Sequence, residues 1–138
     1  MGMKIVVIDG QGGRIGKMII EEISDIITGH ELVAIGTNAL ATSAMIKGGA
    51  VLAATGENPV VVNVRDADVI IGPIGIIVAD SLLGEVTEKM AVAVASSHAK
   101  KILVPISKCN QVVVGIQELP LNKYIELVKE QLKRELGL

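Results

Sequence analysis

The first sixteen residues restrict the fold of this chain more than any other stretch. An apolar run over 4–9, KIVVID, ends in a carboxylate and passes without a gap into GQGGRIG at 10–16. Apolar residues then recur at 18, 19, 20, 23, 26 and 27, the spacing of one helical face. A buried strand that turns straight into a helix needs residues that tolerate positive φ. A ligand approaching such a turn needs positions without a Cβ. The first helical turn then offers unpaired N–H groups at the positive end of the helix dipole. Strand, glycine turn and helix together predict a phosphate or nucleotide site; the plain alternative is a turn whose glycines serve only packing.

The same alternation continues along the chain. Thr28-Gly29 stops the first helix, and LVAIG at 32–36 reads as a second strand. Residues 39–47 read as a second helix, ended by Gly48-Gly49. A short strand fits 50–54. Asn58-Pro59, as an N-cap followed by the first helical residue, predicts a helix over 59–67. The alternative there is a strand over 60–64, which leaves little chain for a parallel crossover. DVIIG at 68–72 is a strand, and a helical pattern covers 76–97, interrupted, if anywhere, at Gly84. KILVPI at 101–106 is the next strand, with Pro105 marking an edge position or the strand's exit. A tight connection then leads to VVVGI at 112–116, predicted as an antiparallel last strand, and to an amphipathic helix over 121–136. The alternation predicts an α/β fold in one domain over 1–138, a doubly wound and mostly parallel sheet.

Composition agrees and excludes other classes. Half of the 138 residues are hydrophobic, and Tyr124 is the only aromatic, so Ile, Val, Leu, Ala and Met must build the core. β-branched residues at this density suit strands buried on both faces. Without aromatics there is no stacking platform for single-stranded nucleic acid. A net charge of -2, with no basic cluster beyond Lys100-Lys101 and Lys133-Arg134, argues against a nucleic-acid partner. No apolar stretch reaches the roughly 20 residues of a membrane span. One cysteine, Cys109, excludes an internal disulfide and a cysteine-based zinc site, and no other metal-ligand spacing is visible. The expected location is cytoplasmic.

Ligands of open α/β sheets bind at the carboxyl ends of the strands. That rule selects Asp9, Gly10, Gln11, Gly12, Gly13, Arg14, Ile15, Thr37, Asn38, Gly72, Pro73 and Gly75, with Ser107, Lys108, Cys109, Asn110 and the loop at 55–58 nearby. The spacing departs from the dinucleotide fingerprint, since Ile15 stands where the third glycine belongs. Thr37-Asn38 stands where an acid would hold a ribose diol; Asn38 either holds ribose hydroxyls or caps the helix that follows. Asp9 would repel a phosphate, and its plain role is to accept a loop N–H. Asp80 and Ser81 are expected on a helix surface, and His30 and His98 at surface caps. Cys109 lacks a positioned base and is expected to be a loop or core residue.

Gly13-Arg14-Ile15-Gly16 resembles the start of dihydrodipicolinate reductases and related NAD(P)-binding proteins. The chain as a whole resembles a bacterial family of small proteins described as a domain of unknown function. IDGQGGRIG at 8–16, TGEN at 55–58, ADVIIGPIGIIVADSLLGE at 67–85 and KCN at 108–110 carry that resemblance. It implies a Rossmann-like fold and no particular activity or catalytic residue. Two functions follow as expectations. One is a nucleotide-binding protein, for NAD or NADP, acting as a sensor or an oligomeric reductase. The other is a cofactor-free oligomeric module that binds a phosphorylated metabolite or a partner protein. The apolar surplus, with a mean hydropathy of +0.56, also predicts a homo-oligomer, most simply a dimer, formed over 76–95 with Val92 and Val94 at the contact.

Overall fold

The computed structural model describes residues 2–106 and 110–138. The elements run β1 (Lys4–Asp9), α1 (Arg14–Ile23), β2 (Glu31–Gly36), α2 (Ala39–Lys47), β3 (Leu52–Thr55), α3 (Glu57–Asn63), β4 (Val69–Pro73), a 3-10 turn (Ile74–Ile77), α4 (Glu88–Ser96), β5 (Lys100–Val104) and α5 (Leu121–Glu135). The five strands form one sheet in the order β3-β2-β1-β4-β5, and every pair is parallel. This is the Rossmann-like order, in which the chain winds outward from β1 to one side and then restarts at β4 on the other.

Alternate residues of the central strands feed two cores. Ile5, Val7, Ile71 and Ile102 meet Ile19, Ile23 and Met45 on one face, which Val128 and Leu132 of α5 complete. Val6, Ile8, Ile35 and Ile70 meet Val60, Val64, Met90 and Val94 on the other. Both faces of the sheet are covered, which is why β1 and β4 read as unbroken apolar runs rather than alternating ones.

The ambiguous middle is a strand and then a helix, with no strand at 60–64. Gly56, at φ 108, is the N-cap of α3, so the helix starts two residues before the expected Pro59. Pro59 then lies in the first turn, where its missing N–H would have had no helical partner. Pro105 stands just beyond β5, which is an edge strand.

Two expectations are corrected. No antiparallel strand exists at 112–116: the described residues 110–120 carry no strand, and Val112 and Val114 are 88% and 93% exposed. The reason is topological. β5 ends at the same edge of the sheet where Leu121 opens α5 beside the glycine turn. An antiparallel strand would carry the chain to the opposite edge. The second correction concerns 76–97, where a helical pattern was expected with at most an interruption at Gly84. The 3-10 turn ends at Ile77, and α4 starts only at Glu88, capped by the Thr87 hydroxyl, which accepts from Met90 N at 3.1 Å. Between them Asp80, Leu82 and Leu83 have φ of 65°, 55° and 56°. A right-handed helix cannot contain them.

Candidate functional site

The glycine turn lies where the sequence placed it, at the carboxyl end of β1, the central strand. Gln11 (φ 49°) and Gly13 (φ 73°) make the left-handed bends. Gly13 N–H donates to Gly10 O at 2.9 Å and closes the turn. A Cβ on Gly13 would lie 2.7 Å from the Ala41 backbone, so the turn also packs tightly on α2. A Cβ on Gly16 would sit 2.6 Å from Met45 Sδ, whereas one on Gly12 would meet nothing within 4 Å.

Asp9 forms the floor of the turn. Its carboxylate is buried and accepts Gly10 N–H at 2.8 Å and Gly16 N–H at 2.6 Å. Two of the N–H groups that a phosphate could have used, those of Gly10 and Gly16, are therefore engaged by an internal carboxyl group. Burial pushes the Asp9 carboxyl above the ordinary carboxylate range, against the pull of the Gly16 and Gly10 N–H groups; the Glu85 charge adds to the rise. The role of Asp9 here is the plain one, a partner for loop N–H groups.

Glu85 forms the rim, and it is the residue that the sequence reading missed. One oxygen, Oε1, accepts from three donors: Gln11 N–H at 2.8 Å, Thr37 Oγ1–H at 2.6 Å and Asn38 Nδ2–H at 2.8 Å. Burial raises the Glu85 pKa, but the hydrogen bonds from Thr37, Gln11 and Asn38 together outweigh it and hold the group below its ordinary value. Asn38 is fully engaged as well. Its Nδ2 also donates to Gln11 O at 3.0 Å, and its Oδ1 accepts Ala41 N–H at 2.8 Å as the N-cap of α2. Thr37, Asn38 and Gln11 are brought together, around an internal carboxylate.

The opposite flank of the turn is open. A crevice of about 270 Å³ is lined, among the described residues, by Asp9, the backbone of 10–15, Pro73, Leu82, Ile106 and Leu121. Larger surface grooves lie elsewhere, the largest along α5, but none of them touches the carboxyl edge of β1. Among the described residues the N–H groups of Gly12 and Arg14 have no hydrogen bond within the protein, and the Arg14 side chain has no ion pair. Arg14 is exposed at the first position of α1.

Gly72 and Gly75 lie outside this crevice and are close-packed. A Cβ on Gly72 would strike Ile8 O, and Gly75 O accepts the buried Ser81 hydroxyl. Ser81 is therefore a core residue rather than a helix-surface one, and Asp80 lies on the surface in the left-handed loop. His30 is no helix cap: its Nδ1 accepts Met3 N–H at 2.9 Å, tying the start of β1 to the turn before β2. Asn110 is exposed, and Ser107, Lys108 and Cys109 lie outside the described residues. The described residues contain no group of three metal-ligating side chains, and no helix long and apolar enough to cross a membrane.

The sequence matches the family described as Domain of unknown function (DUF3842) over residues 4–137, and the chain belongs to that family. No curated protein matches it. Among solved structures it is similar to the dodecameric FMN-dependent UbiX-like decarboxylase from Escherichia coli O157:H7. The TM-score is 0.53 at 15% identity, over 99% of this chain and 96% of that one. At that identity the likeness is one of fold, and it extends over nearly the whole of both chains.

Proposed function

We propose that this family member is a cofactor-binding domain that takes one nucleotide unit in the crevice beside the glycine turn. The carrying observation is the contrast between the turn's two flanks. On the β2 side the Thr37 hydroxyl, the Asn38 amide and Gln11 N–H are engaged by Glu85, while along the crevice Gly12 N–H, Arg14 N–H and the Arg14 guanidinium have no partner among the described residues. A phosphate would rest on those three groups, by charge-assisted hydrogen bonds. The heterocycle would lie against Leu82, Ile106 and Leu121. At about 270 Å³ the crevice lies just below the range of ordinary ligand sites, roughly 300–1,000 Å³. It suits a mononucleotide better than a dinucleotide. The FMN dependence of the similar decarboxylase makes a flavin mononucleotide the first candidate. NAD or NADP is the second reading, favoured by the glycine turn itself and opposed by the engaged β2 side. Sensing and reduction in an oligomer are both compatible with the site.

The test is a thermal-shift panel of FMN, AMP, NAD, NADP and S-adenosylmethionine. A ligand at 100 times its Kd adds about 2.7 kcal/mol of stability. Arg14→Ala should weaken a true mononucleotide ligand about tenfold, the weight of one charge-assisted hydrogen bond. A panel with no stabilising nucleotide sinks the reading and favours the cofactor-free module.

We also propose that the chain self-associates through α3 and α4. Val92 is 57% exposed and, with Val61 and Ala93, lines a groove of about 510 Å³. Val94, expected beside it at the contact, is only 1% exposed and belongs to the core. Light scattering should give a multiple of 14.4 kDa that Val92→Glu lowers; a monomer mass for the wild type removes the interface.

A further inference from the structure

We infer that Glu85 is a specificity determinant that fills the second nucleotide subsite and restricts the site to mononucleotides. The inference rests on the nucleotide reading above. In folds with this strand order a dinucleotide lies across the glycine turn, and its second ribose is held at the carboxyl end of β2. In this chain that position is Thr37-Asn38, and its donors meet a carboxylate of the same chain. The Thr37 hydroxyl and the Asn38 amide both point at Glu85 Oε1, as does Gln11 N–H from the turn. A ribose or pyrophosphate could engage these groups only after Glu85 had left. An incoming phosphate would also face a carboxylate that its three donors keep ionised.

The segment carrying Glu85 is built to keep it there. Asp80 N–H donates to Val86 O at 2.7 Å, Gly84 N–H to Asp80 O at 3.1 Å, and Val86 N–H to Ser81 O at 3.2 Å, so the loop closes on itself. Ser81 anchors it to Gly75 O in the core. Leu82 is buried against the turn, where a Cβ on Gly10 would lie 2.8 Å from its Cδ1. Asp80, Leu82 and Leu83 hold left-handed conformations that L residues seldom adopt. Strain of this kind persists only where surrounding contacts enforce it, and it concentrates at ligand sites. Its product here is the position of one carboxylate.

The experiment compares NAD with FMN and AMP on three proteins: wild type, Glu85→Ala and Glu85→Ser. Both variants take the carboxylate away from Thr37, Asn38 and Gln11 and leave those donors and the N-cap of α2 in place. Circular dichroism and melting temperature establish that each variant is folded. The wild type should bind NAD no more tightly than the better mononucleotide. In both variants the ratio of NAD to mononucleotide affinity should rise about tenfold, one hydrogen-bonded subsite gained. An unchanged ratio in folded variants that still bind FMN or AMP overturns the inference alone. So does a wild type that already prefers NAD tenfold. Failure of all three proteins to bind any nucleotide overturns the nucleotide reading and this inference with it.

Discussion

Asp9 on the floor of the glycine turn and Glu85 on its rim both accept backbone N–H from the turn, Asp9 from Gly10 and Gly16 and Glu85 from Gln11, yet their surroundings push them in opposite directions. Asp9 is enclosed by β1 and α1, and burial dominates, so its carboxyl titrates above the ordinary range. Glu85 stands in partial contact with water, and its three donors dominate, so it titrates below. The floor is held by regular elements and the rim by a loop with left-handed residues. The same chemical group serves as a structural joint in one place and as a fixed edge of the site in the other.

The floor is the costly place to mutate. Asp9→Ala leaves two buried N–H groups, Gly10 and Gly16, without partners, at about 1–3 kcal/mol each. A loss of roughly 2–6 kcal/mol in urea unfolding is expected, the largest effect of any change at the site. A loss under about 1 kcal/mol would mean that water replaces the carboxylate and that the floor is no joint. Next in size is Gly16→Val, because its Cβ would collide with Met45 Sδ and with Asp9 Cβ at 2.9 Å. Overpacking of this kind costs about 1–3 kcal/mol. Gly12→Val has open space and should keep the wild-type melting temperature while losing nucleotide binding. Normal nucleotide binding by Gly12→Val would move the ligand away from the turn.

Acidification separates the two carboxylates by sign. The folded protein holds the Asp9 proton more tightly than the unfolded chain does. Its contribution is therefore complete below the ordinary carboxylate range and is lost as pH rises through the raised pKa. Glu85 behaves in reverse: its contribution is present above its ordinary range and is lost as pH falls through the lowered pKa. As pH falls from neutrality through the carboxylate range, Glu85→Gln should lose less stability than wild type, and Asp9→Asn should lose more. Urea midpoints measured across that range check both. Slopes in the opposite order would contradict the assignment of burial to one group and hydrogen bonding to the other.

The floor was legible in the sequence and the rim was not, for a physical reason. KIVVID followed by GQGGRIG is a local pattern, and each residue's role depends on neighbours a few positions away. Asp9, Gly13 and Gly16 therefore stood out, and Asn38 could be read as the cap that it is. Glu85 meets partners 47, 48 and 74 residues distant, a pairing that no periodicity encodes. The stretch around it also misleads. Ile76, Ile77, Leu82, Leu83 and Val86 have the apolar density of a helix. Only the backbone shows that they belong to a 3-10 turn and a left-handed loop, with Leu82 inside and Leu83 outside. The same failure produced the expected strand at 112–116, since β-branched residues favour strands only where a neighbour is there to pair. The open crevice was half legible: Gly12, Arg14 and Pro73 were named, but Leu82, Ile106 and Leu121 close it from elements distant in sequence.

The smallest effect gives the sharpest view of the rim. Leu83 is 95% exposed and has φ 56°, so within this chain its side chain contributes almost no packing while its backbone is unfavourable. Holding an L residue in that region costs about 1–2 kcal/mol, and the extra chain entropy of glycine returns roughly 0.5–1. Leu83→Gly should therefore stabilise the protein by about 0.5–1 kcal/mol, a rise of roughly 1–4 °C in Tm. The turn's floor already uses glycine at the equivalent backbone, at Gly13 with φ 73°. A rise in Tm with unchanged mass in light scattering would mean that the rim stores strain at Leu83 of the kind that glycine relieves at Gly13. A fall in Tm accompanied by a lower mass would mean that Leu83 is packed after all, against a second copy of the chain. The strain on the rim would then be balanced by contacts made only in the assembly.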